Sequence, residues 1–190
     1  MHEVLKLGLR LFLITVVAAV CLAGTNRVTK GSILAAETAA ATASRKQVLS
    51  QADTFEKLDV EALISQNPDL YKDLDEAYRG VKDGQTMGYT FALSPNGYKA
   101  ALPITVGIDT AGVIVDIAIG DIQETAGLGT RIKEAPFITQ FAGKPAQSDV
   151  LAEQVQTLSG ATISSRACLH AVQQAAAFYQ NALGGKEGQP

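Results

Sequence analysis

The chain is poor in the side chains that carry most catalysis. Its 190 residues include two cysteines, two histidines, two methionines and no tryptophan. A metal centre needs clustered nitrogen, sulfur or carboxylate ligands, and His2 and His170 stand at opposite ends of the chain. Cys21 lies in an apolar N-terminal run and Cys168 in a C-terminal helical pattern. The two would occupy different compartments, which excludes a disulfide framework. Cys168 then reads as a small buried hydrophobe, and His170 as a surface or half-buried residue rather than a ligand. Charged residues make up 18% of the chain and aromatic residues 6%, with a net charge of -3. No basic footprint for nucleic acid and no stacking platform for bases follows from such a composition.

What the chain does have is a long apolar start. From Leu5 to Gly24 it is almost wholly apolar, interrupted by Lys6 and Arg10, both able to snorkel toward an interface. A cleaved signal peptide competes for this segment, with Leu11–Leu22 as its apolar region, but the length favours a retained membrane anchor. Lys6 and Arg10 before the span balance Arg27 and Lys30 after it, so flanking charge gives no orientation. We divide the chain into an anchor at 1–26, a connector at 27–44, one domain at 45–185 and a tail at 186–190. The connector, rich in Ala and Thr, reads either as a linker or as a helical extension of the anchor. The remainder suffices for a single core of ordinary size.

Within the domain, Arg45–Arg79 is polar and largely helical in pattern, broken at Asn67-Pro68. Tyr89–Leu93 is strand-like, Ser94-Pro95-Asn96-Gly97 a turn, and Ile104–Ile108 a second strand. Asp109-Thr110-Ala111-Gly112 turns into a third strand, Val113–Ile119. Short turns between consecutive strands predict antiparallel pairing. Helices are expected at about Ile132–Phe141 and Ser165–Leu183, the latter with Leu169, Val172, Ala176, Tyr179 and Leu183 on one face and a stop at Gly184-Gly185. The fold class is α+β: one N-terminal transmembrane helix, then a twisted antiparallel sheet with packed helices.

Two motifs carry chemistry. Ser159-Gly160-Ala161-Thr162-Ile163-Ser164-Ser165-Arg166 opens the last helix, where unpaired N–H groups and the positive end of the helix dipole favour a phosphate. Taken alone it equally describes a capped helix start that binds nothing. Glu124-Thr125-Ala126-Gly127-Leu128-Gly129 joins a strand to an amphipathic stretch. It is neither a dinucleotide fingerprint nor a P-loop, because the glycine spacing differs and no Gly-Lys-Ser/Thr follows. An ordinary strand-to-helix connection accounts for it; the two motifs occurring in order behind a membrane segment is what that reading leaves unexplained.

Together with Gly88-Tyr89-Thr90-Phe91, Gly97-Tyr98, Pro103–Asp109 and Gln140-Phe141-Ala142-Gly143-Lys144, these motifs resemble the G subunit of the Rnf electron-transport complexes. The chain is similar also to the C subunit of the sodium-pumping NADH:quinone oxidoreductase. The resemblance implies FMN bound covalently through its phosphate to Thr162, attached by an external flavin transferase. It further implies that Ser159, Gly160, Ala161, Ile163, Glu124, Thr125, Gly127, Leu128 and Gly129 surround the flavin. Partners would be the other integral membrane subunits of the complex, with the domain on the extracytoplasmic side of the cell membrane. The chain departs from the family pattern at Gln156, where Asp usually opens the modification motif, at Ala126, where Pro is usual, and at Lys99-Ala100-Ala101-Leu102, where further glycines are usual. A threonine hydroxyl is a weak nucleophile without a base, which suits attachment by a separate enzyme. Two other readings stay open: a flavinylated carrier of a different extracytoplasmic respiratory chain, and a membrane-tethered domain without redox function.

Overall fold

The computed structural model describes residues 2–183. The expected stop at Gly184-Gly185 and the tail at 186–190 lie outside the described residues. The chain divides into two compact units, Met1–Ala41 and Thr42–Pro190. Helix α1, His2–Val48, runs without a break through the first unit and into the second, so residues 27–44 are helical rather than a loose linker. Its most apolar 18-residue window has a mean hydropathy of 2.3 and none of it is buried in the protein, which is long and apolar enough to cross a membrane. Threonine hydroxyls along it bond back to the preceding turn, as Thr25 does to the Cys21 carbonyl at 2.9 Å and Thr38 to that of Leu34 at 2.8 Å. Their polarity is thereby satisfied inside the helix.

The second unit is a five-stranded antiparallel meander, β1 (Thr54–Lys57), β2 (Leu74–Lys82), β3 (Gln85–Leu93), β4 (Ile104–Asp109) and β5 (Ile114–Ile119), paired in that order. A short helix α2, Glu61–Gln66, links β1 to β2. One face of the sheet packs on α5, Thr162–Phe178, and the turn after it, through Phe91 against Phe178 at 5.8 Å and Tyr89 against Tyr179 at 5.9 Å between ring centroids. Small helices α3 (Ala135–Ile138) and α4 (Ser148–Gln154) close the end of this core with Phe137, Phe141 and Leu151, all fully buried. The other face receives the end of α1. Val48 and Leu49 are buried there, against backbone left bare by glycine. A Cβ at Gly80 would lie 2.5 Å from Leu49 Cδ2 and 2.8 Å from Ala52 Cβ, and one at Gly107 would strike the Val48 carbonyl. Arg45 in the last turn of α1 lies 3.9 Å over the Tyr78 ring and 3.7 Å from Glu76.

The α+β expectation and the three strands hold, the last of them starting at Ile114 instead of Val113, which makes an isolated bridge to Pro145. The helical reading of Arg45–Arg79 is corrected: only its first four residues and α2 are α-helical, and β1 and β2 occupy much of the rest. The cause is visible in β2. A register shift at Leu74/Glu76 brings Leu74 and Ala77 into the same core, and Gly80 is buried on the opposite face against Leu49 and Ala52, so the buried positions fall at a spacing of three that imitates a helix. Cross-strand ion pairs, Lys57 to Glu76 and Arg79 to Glu56, both at 2.6 Å, hold this polar edge. The single helix expected at Ile132–Phe141 is instead a 3₁₀ turn, Gly129–Lys133, an extended Glu134, and α3. Pro136 removes a donor and would clash with the carbonyl of Ile132 in a continuous helix. Helix α5 starts three residues earlier than expected. Its buried stripe runs through Cys168, Ala171, Val172, Ala175 and Ala176, leaving Leu169 half-buried, and it passes into a π-helical turn, Tyr179–Leu183.

Gly107→Ala should lower the stability of the domain by about 1–3 kcal/mol, since the added methyl must displace the Val48 backbone. Thermal or denaturant unfolding measures this, and an unchanged midpoint would show that the α1 terminus does not rest on β4 as described.

Candidate functional site

Three connections meet at one carboxylate. Between β3 and β4 the chain folds back on itself, with Asn96 bridged to Ala101 and the Gly97 N–H donating to the Ala100 carbonyl at 2.9 Å. This small hairpin turns the N–H groups of Tyr98 and Lys99 toward Glu124 Oε1, each at 3.0 Å. From the start of α5, Ser164 Oγ donates to Glu124 Oε2 at 2.7 Å. Glu124 itself lies in the connection after β5, whose next turn is closed by the Leu128 N–H on the Thr125 carbonyl at 3.1 Å and by the Gly127 N–H on Thr130 Oγ1 at 3.0 Å. Gly127 takes a left-handed φ of +73° in that turn.

The carboxylate is only 7% exposed. Backbone crowds it: a Cβ at Gly97 would fall 2.6 Å from Oε1 and one at Gly129 2.5 Å from Oε2. Burial pushes the Glu124 pKa up, but hydrogen bonds from the Lys99 N–H, the Ser164 hydroxyl and the Tyr98 and Ala100 N–H groups outweigh it, and the net effect holds the group below the ordinary value of 4.5. Glu124 is therefore ionised at neutral pH, and among the described residues all these partners are neutral groups.

Around this clasp opens a cleft of about 490 Å³, lined by Tyr98, Glu124, Thr125, Leu128 and Gly129 on one side and Gly160–Ser164 on the other. That volume falls within the range of about 300–1,000 Å³ typical of small-molecule sites. Tyr98, Leu128 and Ile163 are exposed and form an apolar rim. Gly160, at a φ of +81°, would carry a Cβ 3.3 Å from Leu128 Cδ2, so its lack of a side chain keeps the cleft open. Thr162 is exposed as the first residue of α5, and its hydroxyl makes only a long bond of 3.4 Å to the Leu158 carbonyl. Ala161 occupies the N-cap position and among the described residues no side chain caps the helix, so the first-turn N–H groups are left for another acceptor.

Eight of the ten residues expected around the site line the cleft. Gly127 shapes the neighbouring turn without lining it. Ser159 also stands outside, with its carbonyl accepting from Arg131 Nη1 at 3.1 Å. The residue missed as a participant is Ser164. Its only signal was its place two residues after Thr162, because the contact to Glu124 spans forty positions. Tyr98 was legible as part of Gly97-Tyr98, but not its aim into the cleft. Gln156 is exposed, and the Gln140 side chain holds its backbone, accepting from its N–H at 2.8 Å and donating to its carbonyl at 3.3 Å. Cys168 is wholly buried and its thiol is pushed up to about 12, which makes it inert at neutral pH. His170 is exposed and its Nδ1 lies 2.9 Å from Gln174 Nε2, away from the cleft lining. Among the described residues no group of three or more His, Cys, Asp or Glu is placed to hold a metal ion.

A carboxylate with a depressed pKa stabilises the fold above its unfolded value and loses that contribution as pH falls through the folded value. Glu124→Gln should therefore cost about 1–3 kcal/mol at pH 7, and the gap to the unsubstituted protein should narrow on acidification below the ordinary carboxylate value of 4.5. Melting temperatures of the two proteins across pH 3–8 check this; a constant gap would mean that Glu124 is not ionised in the fold.

Residues 97–177 match the FMN-binding domain family, a span that takes in both sides of the cleft. The G subunit of the Na+-translocating ferredoxin:NAD+ oxidoreductase complex of Acetobacterium woodii is 35% identical, over 94% of this chain and 92% of its own length. The G subunit of the proton-translocating ferredoxin:NAD+ oxidoreductase complex of Clostridium ljungdahlii is 30% identical, over 76% of this chain and 80% of its own. The G subunit of the ion-translocating oxidoreductase complex of Escherichia coli K12 is 30% identical over 60% of each chain. Among solved structures, NqrC of Shewanella oneidensis is similar over 52% of this chain and 53% of its own, at 16% identity and a TM-score of 0.45. The chain belongs to the family of G subunits of the ion-translocating oxidoreductase (Rnf) complexes.

Proposed function

We propose that this protein is an electron-transfer subunit of an ion-translocating ferredoxin:NAD+ oxidoreductase complex, carrying FMN covalently on Thr162. The observation that carries the reading is the exposed Thr162 hydroxyl, weakly held at the uncapped start of α5 and opening onto a cleft of about 490 Å³. FMN suits these residues. The phosphate would lie against the first-turn N–H groups of α5, and the ring against the apolar rim of Leu128, Tyr98 and Ile163. Gly160 and Ala161 leave space for both, Thr125 and Gly129 shape the walls, Ser159 and Gly127 hold the adjoining turns, and Glu124 joins the two sides. A reading in which Ser-Gly-Ala-Thr merely caps the helix lacks its capping side chain.

When bound, FMN supplies the redox chemistry by accepting electrons and passing them on. The protein's part is to hold it. A helix start contributes only about 0.3–1 kcal/mol toward a phosphate, too little to retain a dilute cofactor, so retention falls to the covalent bond. Thr162 has neither imidazole nor carboxylate hydrogen-bonded to its hydroxyl among the described residues, which fits attachment by a separate flavin transferase better than self-modification. In this reading residues 1–26 anchor the chain in the cell membrane, 27–44 extend the helix out of it, and the domain at 45–185, followed by the tail at 186–190, works on the extracytoplasmic side. Its partners there are the other integral membrane subunits.

Peptide mass spectrometry of the protein produced with its transferase should place FMN, less one water, on Thr162. Protease added to right-side-out vesicles should release that peptide. Thr162→Val, an exposed position, should remove the flavin and leave the melting temperature unchanged. Covalent flavin on the Val variant, or a protected domain, would overturn attachment or sidedness respectively.

Gln156→Asp should speed flavinylation. A carboxylate makes stronger charge-assisted contacts than an amide, and a gain of about 1–3 kcal/mol at the transferase corresponds to roughly tenfold to a hundredfold in rate. Because Gln156 is exposed and held only through its backbone, the exchange should leave stability alone. Equal time courses for the two proteins would mean that the amide serves the transferase as well as the acid.

A further inference from the structure

The clasp that builds the cleft also places a bare negative charge in its wall. Glu124 lines the cleft, is only 7% exposed, and receives hydrogen bonds from two backbone N–H groups at 3.0 Å and from the Ser164 hydroxyl at 2.7 Å. These neutral donors spread the charge without cancelling it. A buried charge is weakly screened, so any group occupying the cleft feels it strongly. Gly97 and Gly129 bring backbone without a side chain close to the two oxygens, where a Cβ would clash with them.

We propose that Glu124 sets the reduction potential of the flavin by holding a fixed negative charge against it, with Ser164 as the donor that moderates that charge. The proposal rests on the reading that FMN occupies this cleft. Reduction of the ring by two electrons with uptake of one proton adds one unit of negative charge to the cofactor, the electrons coming from whatever donor or titrant is present. A like charge beside it opposes that addition and lowers the potential. Losing the charge should raise the potential, and losing the Ser164 hydroxyl should lower it further, because the bare carboxylate then faces the cleft less compensated.

The test is a dithionite titration against a reference dye on flavinylated protein, using Glu124→Gln and Ser164→Ala. Gln keeps the shape and one acceptor oxygen but no charge. We expect Glu124→Gln to shift the oxidised-to-reduced equilibrium about tenfold toward reduced flavin, about 30 mV upward for a two-electron couple. Ser164→Ala should shift the potential downward. A merely structural role would move both variants in one direction, toward the potential of free FMN, and that result would overturn the proposal, as would an unmoved potential in Glu124→Gln. If Glu124→Gln fails to fold, as apo-protein melting would reveal, Ser164→Ala decides alone: a lowered potential supports the role and an unchanged or raised one rejects it. Absence of flavin from the unsubstituted protein would overturn the attachment reading and this role together, whereas normal flavinylation with unaltered potentials would overturn this role alone.

Discussion

The carboxylate of Glu124 is the contact on which the rest of the site depends. It is nearly buried, and every oxygen it presents is met by a donor from another part of the chain: the hairpin loop between β3 and β4 on one side, the start of α5 on the other. An unpaired carboxylate in such a place would cost far more than these bonds return, so the three segments hold together or the cleft does not form. The loops that meet here are pinned to the core by Leu102 and Ile122. Their cleft-facing parts are ordered by polar contacts to Glu124, which suits a wall that must stay open to a ligand.

Beneath the clasp the energetics are more ordinary. Aromatic contacts of α5 with β3 fix the helix over the sheet, and so place Thr162 and Ser164 at the sheet's end opposite Glu124. On the far face, Gly80 and Gly107 remove side chains where Val48 and Leu49 come down. The same residue type thus has two uses in this fold. On the sheet it admits the terminal turn of α1, and in the cleft it keeps Cβ atoms away from Glu124 and Leu128.

Much of this was legible in the residues. Ile104–Ile108 and Ile114–Ile119, rich in β-branched residues with a short turn between, read directly as paired antiparallel strands, although β4 is buried on both faces and its register shifts at Gly107/Ile108. The two motifs announced the site because small residues beside hydroxyls are rarely wanted by a core. What misled was β2, where one bulge and burial on both faces gave Leu74, Ala77 and Gly80 a helical spacing, and the stretch around Pro136, where a good apolar pattern is interrupted by backbone chemistry. The partnership of Glu124 with Ser164 could not be read at all. A hydrogen bond between residues forty positions apart leaves no periodic trace, and Ser164 looks like any other polar residue in a first helical turn.

The central claim is geometric: a cofactor tethered at Thr162 lies inside the cleft that Glu124 organises, rather than hanging from the helix start into solvent. A crystal structure of the flavinylated domain tests it most directly. The account predicts continuous density from the Thr162 Oγ through a phosphate at the first turn of α5, with the ring against Leu128 and Tyr98 and the Glu124 contacts to Tyr98, Lys99 and Ser164 unbroken. Density for the ring outside the cleft, or a Glu124 carboxylate swung away from those partners, would contradict it.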